Sequence, residues 1–183
     1  ESTRERVMAA VDELGYRPHP AARSLGGGRA RVIGLAFSTR PDVPFLLTDI
    51  EYNTRAIQAA TERALARDYA LVVGPPTPHS DVWFRLPLDG VIVFDPVKGD
   101  TVTEQLRSRG MPMVVAGRDP NGDFDDACVD NDANVLTRMA LDHLWERGAR
   151  RPALALYPLL DAFSADTEAE YRRWCDERQI EPI

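Results

Sequence analysis

Two cysteines in 183 residues, Cys128 and Cys175, form no CxxC pair. That excludes a disulfide framework and the usual redox motif, and fits free thiols in a reducing cytoplasm. The three histidines, His19, His79 and His143, lie far apart without metal-ligand spacing. No apolar run approaches the roughly 18 residues a bilayer span needs, so no membrane partner is expected. The opening ESTRERV lacks the basic-then-apolar pattern of a signal peptide. There is no GxxxxGK phosphate loop, and Gly26-Gly27-Gly28 precedes an apolar run instead of following one, which removes the dinucleotide fingerprint. Ser80 and Ser164 have no nucleophile-elbow context, and nothing beside Cys128 would activate its thiol. No repeat or low-complexity segment is visible. The expectation is a protein that is not an enzyme, with no catalytic residue, no metal and no cofactor.

What is present is an uneven charge. The net charge is −7, yet Tyr16–Arg31, YRPHPAARSLGGGRAR, carries four arginines and no acid. A basic patch on an acidic body points to a local polyanion contact, although a solvated linker gives the same composition. The residue order favours the contact. Pro20 suits the first position of a short helix, where its missing N–H costs nothing. Ala21 to Leu25 then make under two turns before the three glycines, too little to be stable alone in water. Such a segment orders on a partner. Leu25 has the character of the wedge that minor-groove binders push between base steps, and Ala21 and Ala22 permit close approach.

Further along, apolar patterning alternates between two periods. Ser2–Leu14 reads as a helix with a Ser2/Glu5 capping box, closed by Gly15. Strands are expected at Arg31–Phe37, Tyr69–Gly74, Gly90–Phe94, Met113–Ala116 and Ala153–Tyr157, with a short edge element at Cys128–Val129. Helices are expected over about Phe45–Arg67, Asp100–Arg109, Asp132–Arg147 and Ala165–Arg178, with a helical turn within Ser80–Leu86. Alternation at these intervals predicts an α/β fold, a doubly wound parallel sheet with helices on both faces. Ligands of such sheets bind beyond the carboxyl ends of the strands.

The expected loops there carry Thr39, Arg40, Asp42 and Phe45 after the first strand, Arg118 and Asp119 after the fourth, and Asp130-Asn131-Asp132 before the following helix. An aromatic ring, a guanidinium and Asp/Asn side chains suit a polyhydroxylated ligand. Each has a plainer role available: Phe45 in the core, Arg118 as a surface charge, Asp130 or Asp132 as a helix cap. His143, beside Asp142 on a polar helix face, is expected in solvent.

YRPHPAARSL, preceded by TRERVMAAVDELG and followed by RVIGLAF, resembles the hinge region of LacI-family transcriptional regulators, and similarity to the family continues along essentially the whole chain. The resemblance implies that hinge helices of two subunits pair in the minor groove of operator DNA. Leu25 would intercalate, with Tyr16, Arg17, Ala21, Ala22 and Arg23 facing the groove or its phosphates. The hinge departs from the family pattern at His19, usually Asn, and at the glycine triplet. It further implies a periplasmic-binding-protein-like sensor whose effector-binding residues are Phe45, Arg118, Asp130 and Asn131. Val43 replaces an Asn and Gly117 an Asp of that pattern.

The implied organisation is the last helix of a helix-turn-helix domain over 1–15, a DNA-binding hinge over 16–31, an N-terminal sensor subdomain over 32–150 and the start of the C-terminal one over 151–183, with the rest of both domains missing from a truncated chain. The implied function is a cytoplasmic, homodimeric regulator, of repressor type, whose operator affinity is set allosterically by a small-molecule effector, a sugar or sugar derivative. The alternatives are a sugar-binding protein that does not bind DNA, which the missing signal peptide and the basic hinge oppose, and an α/β enzyme, which the missing phosphate loop and triad oppose.

Overall fold

The computed structural model describes residues 2–16, 28–38, 51–74, 82–122, 125–156 and 160–183. Helix α1 spans Thr3–Leu14. Its capping box forms as expected: Ser2 Oγ accepts from Glu5 N–H, and Ser2 N–H donates to Glu5 Oε2 at 2.7 Å. Gly15 ends the helix with φ 59°, a left-handed turn that glycine adopts without strain. No residue of α1 is buried, so the stripe carrying Val7 and Leu14 faces solvent.

The body is a five-stranded, all-parallel sheet ordered β2-β1-β3-β4-β5. Its strands are β1 Val32–Phe37, β2 Ala70–Gly74, β3 Gly90–Phe94, β4 Met113–Ala116 and β5 Ala127–Val129. The helices are α2 Glu51–Leu65, the single turn α3 Val82–Arg85, α4 Thr101–Ser108, α5 Ala133–Glu146 and α6 Ala162–Glu177. Parallel strands need crossovers, and the apolar runs of β1 and β3 are long enough only because both faces are covered.

One face packs on α3 and α4. Ala36, Val91 and Val93 meet Trp83, Val102 and Leu106 there, and Leu106 is fully buried. Gly34 is required at this contact, since a Cβ would stand 2.8 Å from the Trp83 ring. The opposite face carries Phe37 and Phe94, with ring centroids 5.2 Å apart, and α2 lays Tyr52 edge-on against Phe94.

The start of β1 is clamped. The Asp89 carboxylate accepts from Ala30 N–H and Arg31 N–H, both at 2.8 Å, and Arg31 also pairs with Asp68. Chain leaving the basic segment therefore enters the sheet at a fixed point.

A second apolar cluster lies between α5 and α6: Leu141, Tyr171, Trp174 and Cys175, with Trp145, Leu154 and Ile180 around it. It shares no residue with the cluster under the sheet. Trp174 donates to Asp142, which also takes Arg178, and Arg178 stacks over Trp174 at 4.0 Å. Glu170, almost fully buried, is neutralised by Arg138 and Arg173.

Two expectations are corrected. Residues 152–156 form no strand; Leu154 N–H instead donates to Ile183 O at 3.2 Å. A strand is defined by its ladder, and among the described residues no strand lies beside this run to supply one. The last helix begins three residues earlier than expected, because Asp161 caps it by accepting from Ser164 N–H and Oγ–H. The expected start of α2 at Phe45 lies outside the described residues.

Candidate ligand-binding site

Strand order 2-1-3-4-5 reverses direction between β1 and β3, and a doubly wound sheet opens its crevice there, outside the carboxyl ends. Ser38 follows β1 at that point. Its hydroxyl donates to Asp100 at 2.7 Å and accepts from Val97 N–H, while its N–H donates to Phe94 O. The crevice floor is thus stitched shut by one hydroxyl.

Asp95 follows β3 with φ 45°, a left-handed conformation unusual for a residue with a side chain. Its N–H continues the ladder to Ala116 O at 2.8 Å. Burial, then the neighbouring Asp161 and Asp130 carboxylates, push its pKa up to about 6. Gly117 follows β4 with φ 93°, and a Cβ there would stand 2.7 Å from Asp95 Oδ1. The resemblance places an acid at position 117. Here that volume holds the carboxylate of Asp95 instead.

Arg118 lies next to Gly117, half exposed. Its Nη2 donates to Asp166 of α6, and its Nε lies 3.6 Å from Asp130 at the end of β5. The hydrogen bond to Asp166 is the main reason the guanidinium pKa stands above its ordinary value. Asp130 and Asp132 divide the two roles expected for them: Asp132 caps α5 by accepting from Val135 N–H at 2.9 Å, and Asp130 turns to Arg118. Burial raises the Tyr52 hydroxyl pKa and Asp95 raises it further, while a hydrogen bond with Asn131 opposes both.

Of the sequence-expected effector residues, Arg118, Asp130 and Asn131 are brought to one edge of the sheet; Phe45 lies outside the described residues. Asp119 turns away to Arg107, which it shares with Asp126 at 2.9 and 2.5 Å. A depression of about 400 Å³ beside Arg118 is lined by Val115, Asp119, Pro120, Gly122, Asp126 and Cys128. Tyr52, Asp95, Asp161 and Asp166 are additions that sequence reasoning missed. For Asp95 the signal was available: an acid directly after a strand in the series whose ends form the site.

Of the expected DNA contacts, Tyr16 is described and exposed, its N–H bonded to Val11 O. Arg17, Ala21, Ala22, Arg23 and Leu25 lie outside the described residues, as do His19 and His79. His143 is exposed. Among the described residues no group of side chains is arranged to hold a metal ion, and no helix is long and apolar enough to cross a membrane.

A parallel sheet in this order, with a polar crevice at its switch point, is a doubly wound fold of the kind periplasmic-binding-protein-like domains share. The comparisons agree. The chain is 33% identical over 158 residues to the HTH-type transcriptional regulator AglR of Rhizobium meliloti (strain 1021), covering 83% of this chain and 43% of that protein. It superposes on the lac repressor dimer bound to operator and the anti-inducer ONPF with TM-score 0.70 and 22% identity, over 99% of this chain and 55% of that one. It superposes on the transcriptional regulator CelR–cellobiose complex with TM-score 0.73 and 22% identity, over 98% and 54%. No family model matches. The chain is similar in sequence to HTH-type transcriptional regulators and shares the fold of LacI-family regulators, and it spans about half the length of the curated relatives it matches.

Proposed function

We propose that the chain is the hinge and sensor segment of a DNA-binding transcriptional regulator whose operator affinity is controlled by a small-molecule effector, a sugar or sugar derivative. The observation that carries the reading is the continuity between two features. The Arg118–Asp130–Asn131 edge lies at the strand ends, and the Asp89 clamp fixes the exit of the basic segment at the opposite end of the same sheet. A ligand that shifts the sheet relative to a second body therefore moves the hinge root with it. That is a coupling free energy between two sites. The solved structures that share the fold support it, one with operator DNA and ONPF, the other with cellobiose.

The regulator acts as a homodimer in the cytoplasm, and its role is binding and not catalysis. Residues 1–15 close a helix-turn-helix domain, and 16–31 form the hinge, with Tyr16, Arg17, Ala21, Ala22, Arg23 and Leu25 toward DNA. Residues 32–150 and 151–183 are the expected sensor subdomains, and because α5 packs on α6 their join falls earlier, at the turn between β5 and α5.

The test is fluorescence anisotropy of the full-length parent against palindromic and scrambled duplexes at one salt concentration, since phosphate contacts make affinity salt-dependent, with and without a sugar panel. Preference for a palindrome, altered by one sugar, is the expected result. In the same assay Leu25→Ala weakens operator binding and leaves sugar affinity unchanged. Unchanged operator affinity removes the wedge role.

A further inference from the structure

Among the described residues Arg118 is the cation of the candidate site, and a carboxylate already holds one of its nitrogens. Asp166, from the first turns of α6, accepts from Nη2, and Asp130 lies 3.6 Å from Nε. These two carboxylates belong to different parts of the fold. Asp130 ends the sheet; Asp166 rides on the helix whose core is the separate Trp174 cluster. Asp95 and Asp161 are close enough to each other and to Asp130 to raise the Asp95 pKa. Counted with Arg118, the described charges at this edge are therefore net negative.

We infer that Asp166 is a specificity-determining residue of this site: by occupying the anion-binding edge of Arg118 it restricts the site to uncharged, hydroxyl-bearing ligands and rejects phosphate esters and carboxylates. The inference rests on the ligand-site reading above and narrows it.

The physical argument concerns what a guanidinium can offer. Arginine recognises phosphate and carboxylate through a planar fork of N–H donors, two of them used at once. With Nη2 on Asp166, the Nε/Nη2 edge of the fork has lost one of its two donors, and the Asp130 carboxylate stands 3.6 Å from the other. An anionic ligand that takes the Nε/Nη2 edge has to displace Asp166, and one that takes the open Nη1 end lies among the remaining carboxylates, where like charges oppose it. A hydroxyl meets neither obstacle. It accepts from the guanidinium N–H groups left over, and it donates to a carboxylate whose lone pairs exceed the donors supplied by Arg118. Because Arg118 remains half exposed while paired, such a ligand reaches it without breaking the bridge.

The test uses inorganic phosphate as the anionic probe, followed by the Arg118 Nε–H resonance, in the wild-type chain, in Asp166→Asn and in Asp130→Asn/Asp166→Asn. Each variant is first checked for a wild-type amide spectrum. The expected result is no saturable shift in the wild type, a saturable shift in Asp166→Asn and at least tenfold tighter binding in the double variant. Saturable phosphate binding to the wild type, as tight as to the variants, overturns the inference. So does a folded double variant that takes no phosphate, and Asp166→Ala repeats that arm should the double variant unfold. A third arm compares free sugars with their phosphate esters on the wild type, and an ester that binds tighter than its parent sugar also overturns it. None of these readouts involves DNA, so failure here and failure of the operator assay are separate results.

Discussion

Replacing Gly117 by alanine tests the local geometry on which the candidate site depends. Two penalties act at once. The backbone has φ 93°, and holding a residue with a Cβ in such a region costs about 1–2 kcal/mol. The new Cβ would also stand 2.7 Å from Asp95 Oδ1, with the Asp95 Cα at 3.5 Å behind it. The oxygen can rotate away, but only by leaving its place among Asp130 and Asp161, so ~1 kcal/mol more is a fair figure for an off-rotamer side chain. The sum is ~2–3 kcal/mol, which for a chain of this size lowers Tm by about 4–12 °C. Thermal unfolding of Gly117→Ala reads the total.

The contribution of the contact comes from a cycle with Asp95→Gly. That change removes the opposing oxygen and relieves the left-handed φ of 45° at residue 95. Gly117→Ala should then cost less by ~0.5–1 kcal/mol or more in the Asp95→Gly background, within the range seen for touching residues. Equal cost in both backgrounds would show that Asp95 does not occupy the volume above Gly117, and the account of how this site replaces the expected acid would fail.

Asp95 also predicts a pH dependence. The fold holds its proton up to about pH 6, whereas its ordinary value is 3.8, so ionisation works against folding as pH rises through that window and its full cost applies above it. Asp95→Asn should therefore be more stable than wild type near neutral pH, by at most ~3 kcal/mol; the gain should fade toward pH ~4, as urea titrations at several pH values would show. Leu106→Ala, at a fully buried position against Val91 and Val93, should cost ~2–5 kcal/mol by denaturant melt. Arg107→Leu should leave the carboxylate of Asp119, only 6% exposed, without its cation. A loss of ~1–3 kcal/mol is expected, and adding Asp119→Asn should recover part of it.

The alternation of apolar runs was enough to place β1 to β4 and to make the sheet parallel, because a strand buried on both faces must be continuous in Val, Ile and Leu. The RVIGLAF and GVIVF segments are of that kind, and their register follows once both are buried. Ala153–Leu156 is apolar as well, but it holds only Ala and Leu with no β-branched residue, and among the described residues it pairs with no strand. The site was legible to the extent that strand ends predict it, which placed Arg118, Asp130 and Asn131. Asp166 was not legible, because its contact with Arg118 spans 48 residues and depends on how α6 packs. Asp161 was hidden as a loop residue until its cap to Ser164 became visible. The Asp89 clamp likewise joins residues 58 and 59 apart, a distance over which no local pattern carries information.

The separate apolar clusters have a consequence for how the molecule bends. Between the sheet cluster and the α5–α6 cluster run the Arg118–Asp166 pair, one bridge from Val97 to Asp161 and the Lys98 N–H to Leu160 O bond. Partly exposed ion pairs contribute about 0–1 kcal/mol each, and a lone backbone hydrogen bond nets about 1 kcal/mol. Among the described residues the contacts across this joint are therefore weak compared with the packing inside either cluster. A bound molecule touching both sides needs only a few kcal/mol of preference to set the angle between them, which is within the reach of a handful of hydrogen bonds.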